Sequence, residues 1–454
     1  VKEKEFSPMM KQYLQMKEQY KDAVLMYRLG DFYEMFFDDA ITVSAFLDLT
    51  LTGRDCGLEE RAPMCGVPYH AVDTYIKRLI EGGFKVAICE QLNTPEDTKG
   101  QLTRDVVRVI TPGTLVEESY LDERKNNYIA SVYATDDGFG LSWADVSTGE
   151  FKLYEYRGEN ASFILEDLLV TLSPAEIICN QAAKALGLSA VKSGKLPTFY
   201  AFFDWAYGLE TARKKLLKQL DVTTLSAFEC DDKTLAISAA GALVEYMLST
   251  QKRSLKHLNR IACLSDNAFM FLDANTRRNL ELTATIRDGK RRGSLLWLLD
   301  ETATSMGARN LRRWIEQPLQ DEGLINARLT AVEELIFNVP VREDLFAVLK
   351  NVRDLERLTA RLAFGSINPR DAVSITETLK ILPEMVKLLK KCKAPLLRGS
   401  ISLIYENREL VELISSAIAD NPPALLKDGG YIREGYNSDL DAYNHAKPTA
   451  KSGL

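Results

Sequence analysis

The sequence predicts a multidomain α/β plus all-α protein, with two mixed α/β units ahead of a helical bundle. Three observations carry that prediction. The chain has 454 residues, which at roughly 150 residues per domain is about three domains. Hydrophobic residues make up 46% and charged residues 27%, the balance of a globular chain that buries sizeable cores. Strand-length apolar runs mix with helical spacing as far as residue 250, and after it the strand signal vanishes.

The elements follow in order. Ser7-Pro8 is an N-cap and first-turn proline, opening a helix over Met10, Tyr13, Leu14 and Met16. Val24 to Leu29 is a strand. Ala71 to Ile80 has helical spacing and stops at Gly82-Gly83, ahead of the strand Phe84 to Ile88. This first unit ends near Pro112-Gly113. In the second, Tyr128 to Tyr133, Gly140 to Val146 and Glu150 to Tyr154 are strands joined by hairpin turns at Asp136-Asp137-Gly138 and Ser147-Thr148-Gly149. A helix over Ala161 to Leu172 and a strand over Ala175 to Cys179 make a crossover. Further on, Leu345, Val348, Leu349, Val352, Leu355, Leu358 and Leu362 step by three and four, as do Ile325, Leu329, Val332 and Ile336. Ser294 caps Leu295 to Leu299, and Pro318, Pro340, Pro369 and Pro383 punctuate the bundle.

Composition excludes several classes. Lys and Arg number 57 against 64 Asp and Glu, net −7, so the chain is not a basic nucleic-acid coat. The charge is uneven. Residues 1–120 carry 14 basic against 20 acidic side chains, and residues 251–320 carry 13 against 7. Arg287, Lys290, Arg291 and Arg292 crowd around Gly289 there, as a solvated loop or a phosphate-facing patch. Cys56, Cys65, Cys89, Cys179, Cys230, Cys263 and Cys392 are odd in number and scattered, with no C-x-x-C, which supports neither a disulfide framework nor a zinc site. His70, His257 and His445 lie far apart. No apolar stretch suits a bilayer, and Val1 to Glu5 has no signal-peptide character. The expectation is a cytoplasmic protein with no metal and no membrane partner. Ser193-Gly194-Lys195 lacks the rest of a phosphate loop, and neither G-x-S-x-G nor H-E-x-x-H occurs. No catalytic residue is therefore assigned, and no cofactor is expected in this chain.

The informative stretch is Gly30-Asp31-Phe32-Tyr33-Glu34-Met35-Phe36-Phe37. Phe32 reads as a core residue with Glu34 a solvated charge at a strand end. Alternatively Phe32 is an exposed wedge that stacks on a base while the carboxylate tests its edge. Residue types alone leave both open.

That segment resembles the Phe-x-Glu motif of the MutS family of DNA mismatch-repair proteins, in its bacterial branch. Ala62-Pro63-Met64-Cys65-Gly66-Val67-Pro68-Tyr69-His70 is similar to the family's next signature. Val86 to Gln91 and Arg108 to Thr114 continue it in order. Arg277 to Leu282, Gly307 to Trp314 and Asp354 to Leu358 resemble the family's core domain. The resemblance implies a mismatch-binding domain over 1–117, an RNase-H-like connector over 118–250, a helical core and lever domain over 251–430, and an approach to the clamp over 431–454. The family's ATPase, with ATP and Mg²⁺, lies further along. The ending Lys447 to Leu454 lacks the long helical continuation expected, which reads as a fragment.

The resemblance also implies the chemistry. Phe32 enters from the minor groove and stacks on the mispaired base. Glu34 hydrogen-bonds the displaced base and repels the phosphates of an undistorted duplex. Met64 and Gln91 lie in the matching DNA-binding segments. Lys85, Arg104 and Arg108 are candidate backbone contacts by charge and location only. The implied partners are mismatched double-stranded DNA, a MutL-type repair protein and, at full length, a second copy of the chain. Two rivals remain: a Mg²⁺-dependent nuclease using Asp145 at a strand end, and a helical scaffold that binds only protein.

Overall fold

A computed structural model describes residues 6–92, 103–264, 269–270, 272–423 and 426–451. Expectations about residues 1–5 and 452–454 lie outside them. The chain forms two compact units, one of residues 1–121 and 127–264, the other of 122–126 and 265–454.

The first unit holds two six-stranded sheets. Strands β1 (Ala23–Leu29), β2 (Phe32–Phe36), β3 (Thr52–Arg54), β4 (Ala62–Pro68), β5 (Lys85–Gln91) and β6 (Arg104–Ile110) form the first, in the order β3-β4-β2-β1-β5-β6. Only β1 and β5 pair in parallel. Val24 and Met26 pack in one core with Val43, Leu47, Ile76 and Leu79 of helices α2 (Phe37–Leu47) and α3 (Val72–Glu81). Leu25 and Tyr27 pack on the other face with Met10, Tyr13 and Met16 of α1 (Pro8–Gln19). A strand covered on both faces is apolar throughout, which is why β1 reads as a continuous run. The buried Asp39 carboxylate ties these layers together. It accepts from Lys17 Nζ at 2.9 Å, the Leu25 N–H at 3.0 Å and the Tyr13 hydroxyl at 3.4 Å.

The second sheet comprises β7 (Ile129–Thr135), β8 (Gly138–Asp145), β9 (Glu150–Arg157), β10 (Glu176–Cys179), β11 (Phe199–Ala201) and β12 (Ala262–Cys263), ordered β11-β10-β7-β8-β9-β12. The antiparallel β7-β8-β9 meander comes from the two expected hairpin turns, and β10 and β11 add in parallel after crossovers. The helix Thr234–Gln251 is buried on nearly every side. At Gly140 it comes so close that a Cβ would lie 2.0 Å from the Leu235 carbonyl oxygen, so only glycine fits. β12 pairs with β9 in parallel, so strand structure persists to residue 263, past the expected boundary at 250. A two-residue strand is too short to leave a periodic signal.

The second unit is helical. Its longer helices are Ser305–Glu316, Glu322–Phe337, Val339–Leu349, Leu355–Ala363, Pro369–Leu389, Arg408–Ala417 and Ser438–Lys451. The long leucine stripe is split in two, because the Asp354 side chain accepts from the Arg357 N–H and starts a new helix. Pro383 sits inside Pro369–Leu389 rather than ending it. The last helix is Ser438–Lys451. Residues 122–126 join this unit through two buried arginines. Arg357 donates to the Asp122 and Lys125 carbonyls at 2.7 and 3.0 Å, and Arg309 to the Glu123 carbonyl at 2.9 Å.

Candidate nucleic-acid interface

Register places the candidate residues. Along β2, Phe32, Glu34 and Phe36 share a face, and Phe36 is buried in the core beneath α1. Their partners in β4 are Pro68, Gly66 and Met64. On the neighbouring strands the same face carries Tyr27 and Leu29 of β1, Gln91 of β5 and Arg104 of β6, which are directly paired with one another or with β2. Phe32, Glu34, Met64, Gln91 and Arg104 therefore share one face. Phe32, Gln91 and Arg104 lie at one end of it, Glu34 one pair inward, and Met64 beside Phe36 against the core.

Phe32 is 47% exposed and so is not a core residue. It leaves the β1–β2 turn at Gly30, whose φ of +58° suits glycine. Two contacts fix this turn. The Tyr69 N–H donates to the Asp31 carbonyl at 2.8 Å, and Arg28 Nε donates to the Gly30 carbonyl. The Arg28 guanidinium lies 3.5 Å from the centroid of the half-exposed Tyr69 ring. Tyr33, on the opposite face, donates its hydroxyl to Glu90, and burial holds that phenol protonated.

Glu34 is not a solvated charge. Its side chain is only 13% exposed and its carboxylate is ion-paired with Arg54 of β3. In the free chain the Glu34 charge is thus partly offset by the Arg54 guanidinium. Arg54 was missed in the sequence, since nothing in a three-residue strand marks a diagonal ion pair across β4.

The three basic candidates divide. Arg104 lies at the open end but is buried, with Nε donating to the Arg28 carbonyl at 3.1 Å and its guanidinium 5.1 Å from the Tyr27 ring centroid. Burial pushes the Tyr27 phenol up to about 12 despite that neighbouring charge. Lys85 lies at the other end of β5, 3.2 Å from Asp22, 3.8 Å from the buried Glu176 of β10 and 3.5 Å over the Tyr200 ring. Arg108 faces the opposite side of the sheet with Ile88, ion-paired with Glu117 and donating to Gln251 Oε1 at 3.0 Å. Lys85 and Arg108 therefore join the two sheets and are not beside Phe32.

The nuclease candidate fares differently again. Asp145 is fully buried. Its Oδ1 accepts from the Ser147 N–H at 2.9 Å and hydroxyl at 2.6 Å, and Oδ2 from the Asn127 N–H at 3.1 Å. Among the described residues no group of three or more His, Cys, Asp or Glu is placed to hold a metal. Nor does Ser193-Gly194-Lys195 fit a nucleotide phosphate. It follows the helix Ser189–Lys192 instead of preceding one, and all three backbone N–H groups donate to helix carbonyls. In the helical unit, Arg291 is paired with Asp300 and Lys290 with Asp288, so part of that basic patch is internally neutralised.

Comparison with known families decides the membership. Residues 7–119 match the family model of MutS domain I, residues 127–259 MutS domain II, and residues 275–449 MutS domain III. The chain belongs to the MutS family. It is 45% identical over 442 residues to the DNA mismatch repair protein MutS of Alkaliphilus oremlandii, covering 96% of this chain and 50% of that protein. It is 46% identical over 447 residues to the protein of the same name from Pelotomaculum thermopropionicum, covering 98% and 52%. The chain spans about half the length of these MutS relatives. The MutS domain III match includes residue 449, within the closing helix. None of the described helices is long and apolar enough to cross a membrane.

Proposed function

We propose that this chain recognises mispaired or unpaired bases in duplex DNA, with Phe32 as an aromatic wedge and Glu34 as the carboxylate that meets the displaced base. A mispair weakens local stacking and makes the duplex cheaper to kink. Unstacking a step costs a few kcal/mol, and a mismatch has already lost part of that. A ring offered to the minor groove therefore inserts where the step is weak and stays out where it is sound. Discrimination arises from deformation energy more than from a base code. The observation that carries this reading is Phe32, a large apolar side chain 47% exposed at a sheet end, with Glu34 next on the same face. The relatives' shared name, DNA mismatch repair protein MutS, points the same way.

Met64, Gln91 and Arg104 share the face and belong to the proposed DNA surface; Lys85 and Arg108 are left out of it. ATP with Mg²⁺, a MutL-type partner and homodimer formation are proposed for the full-length protein, whose relatives are about twice as long. Titration of the chain with a G·T duplex and its matched counterpart, at two salt concentrations, tests the reading. The expected result is tighter binding of the G·T duplex at both salts. Equal affinity for the two duplexes overturns it.

A further inference from the structure

The Glu34–Arg54 pair gives the proposed wedge site a moving part. Gly66 faces Glu34 across the β2–β4 pair, and a Cβ there would stand 3.4 Å from Glu34 Cγ. The Glu34 stem thus lies directly over Gly66 of β4, and Arg54 reaches its carboxylate from β3 on the far side. The two partners differ in access. Glu34 is 13% exposed and Arg54 38%. The arginine can reach outward for a phosphate oxygen, whereas the carboxylate, if abandoned, stays half-desolvated without a counter-charge. Guanidinium forks suit carboxylates and phosphates alike, so a docked duplex competes for Arg54.

The outcome of that competition depends on what else Glu34 can bond. In a matched duplex the base step stays stacked beneath Phe32, and Glu34 finds no partner to replace the guanidinium. Leaving a half-buried charge unpaired is costly, so the pair holds. At a mispair the displaced base presents a hydrogen-bonding edge to Glu34, and Arg54 is released. We propose that Arg54 is a specificity-determining residue that stays on Glu34 in a matched complex and passes to a backbone phosphate in a mismatched one. The inference rests on the function proposed above and deepens it.

Each phosphate neutralised on B-DNA steepens the plot of log affinity against log salt by about 0.9. Arg54→Gln should therefore flatten the slope by about that amount on a G·T duplex and leave the matched slope unchanged. Arg54→Lys, which keeps a charge for the phosphate, should retain the G·T slope. A double-mutant cycle of Arg54→Gln with Glu34→Gln gives a second readout. Binding of G·T DNA should show non-additivity of about 2- to 5-fold, the range of a partly exposed ion pair that is broken on binding. Binding of matched DNA should be additive, because there the pair is kept. Melting of each variant identifies any that fail to fold, and Arg54→Met, uncharged and of similar length, then replaces the glutamine variant in both readouts. Equal slope changes on both duplexes would make Arg54 a fixed phosphate contact, and no change on either would make the pair purely structural. Both results overturn the exchange. If the unmodified chain does not prefer G·T at all, the underlying function fails instead.

Discussion

The two sheets of the first unit each place a carboxylate near a strand end, and they treat it oppositely. Asp145 closes β8 fully buried, its oxygens taken by Ser147 and by the backbone of Asn127. Glu34 lies on an incompletely covered face, beside an exposed phenylalanine and paired with one more exposed counter-charge, Arg54. The first arrangement satisfies a turn inside the protein. The second keeps a partner that a ligand can displace. A carboxylate near a strand end is thus uninformative by itself; its bonding distinguishes a structural group from a reading one.

Breaking the buried member should have the largest effect on stability. Asp145→Ala strands the Ser147 and Asn127 donors inside the second sheet, at a cost of about 3 kcal/mol for lost hydrogen bonds to a charged group. Chemical denaturation should register that loss while the G·T preference of the folded protein is unchanged. Mg²⁺-dependent DNA cleavage that vanishes in a fully stable Asp145→Ala variant would restore the nuclease reading and dissolve the contrast.

A smaller effect sharpens the boundary of the DNA face. Arg108 is held by Glu117 and Gln251 at the junction of the two sheets. Arg108→Gln should lower the stability of the first unit by about 1–2 kcal/mol and leave the salt slope of duplex binding where it was. A slope flatter by about 0.9 would mean that Arg108 holds a phosphate after all.

Much of the architecture was legible because periodicity is a local signal. The β1 run, the two hairpin turns of the second sheet and the caps at Ser7 and Ser294 lie where the residue pattern puts them. The short strands β3, β11 and β12 left no such trace, and they decide where the second sheet ends and where Arg54 stands. Phe32 could be singled out in the sequence, but its exposure could not, because that depends on α1 leaving one end of the face uncovered. Lys85 and Arg108 show the converse limit. Charge marks a residue as able to meet phosphate, whereas only the fold shows that Glu176 and Glu117 are nearer.

The central claim is that the open end of the first sheet is a reading head and that Phe32 is its wedge. Phe32→Ala, measured for both melting and the affinity ratio of G·T to matched DNA, tests it most directly. The ratio should fall by about 1–3 kcal/mol of base stacking, roughly 5- to 150-fold, with the melting temperature unchanged. A variant that melts several degrees early and keeps its preference for G·T would contradict the account.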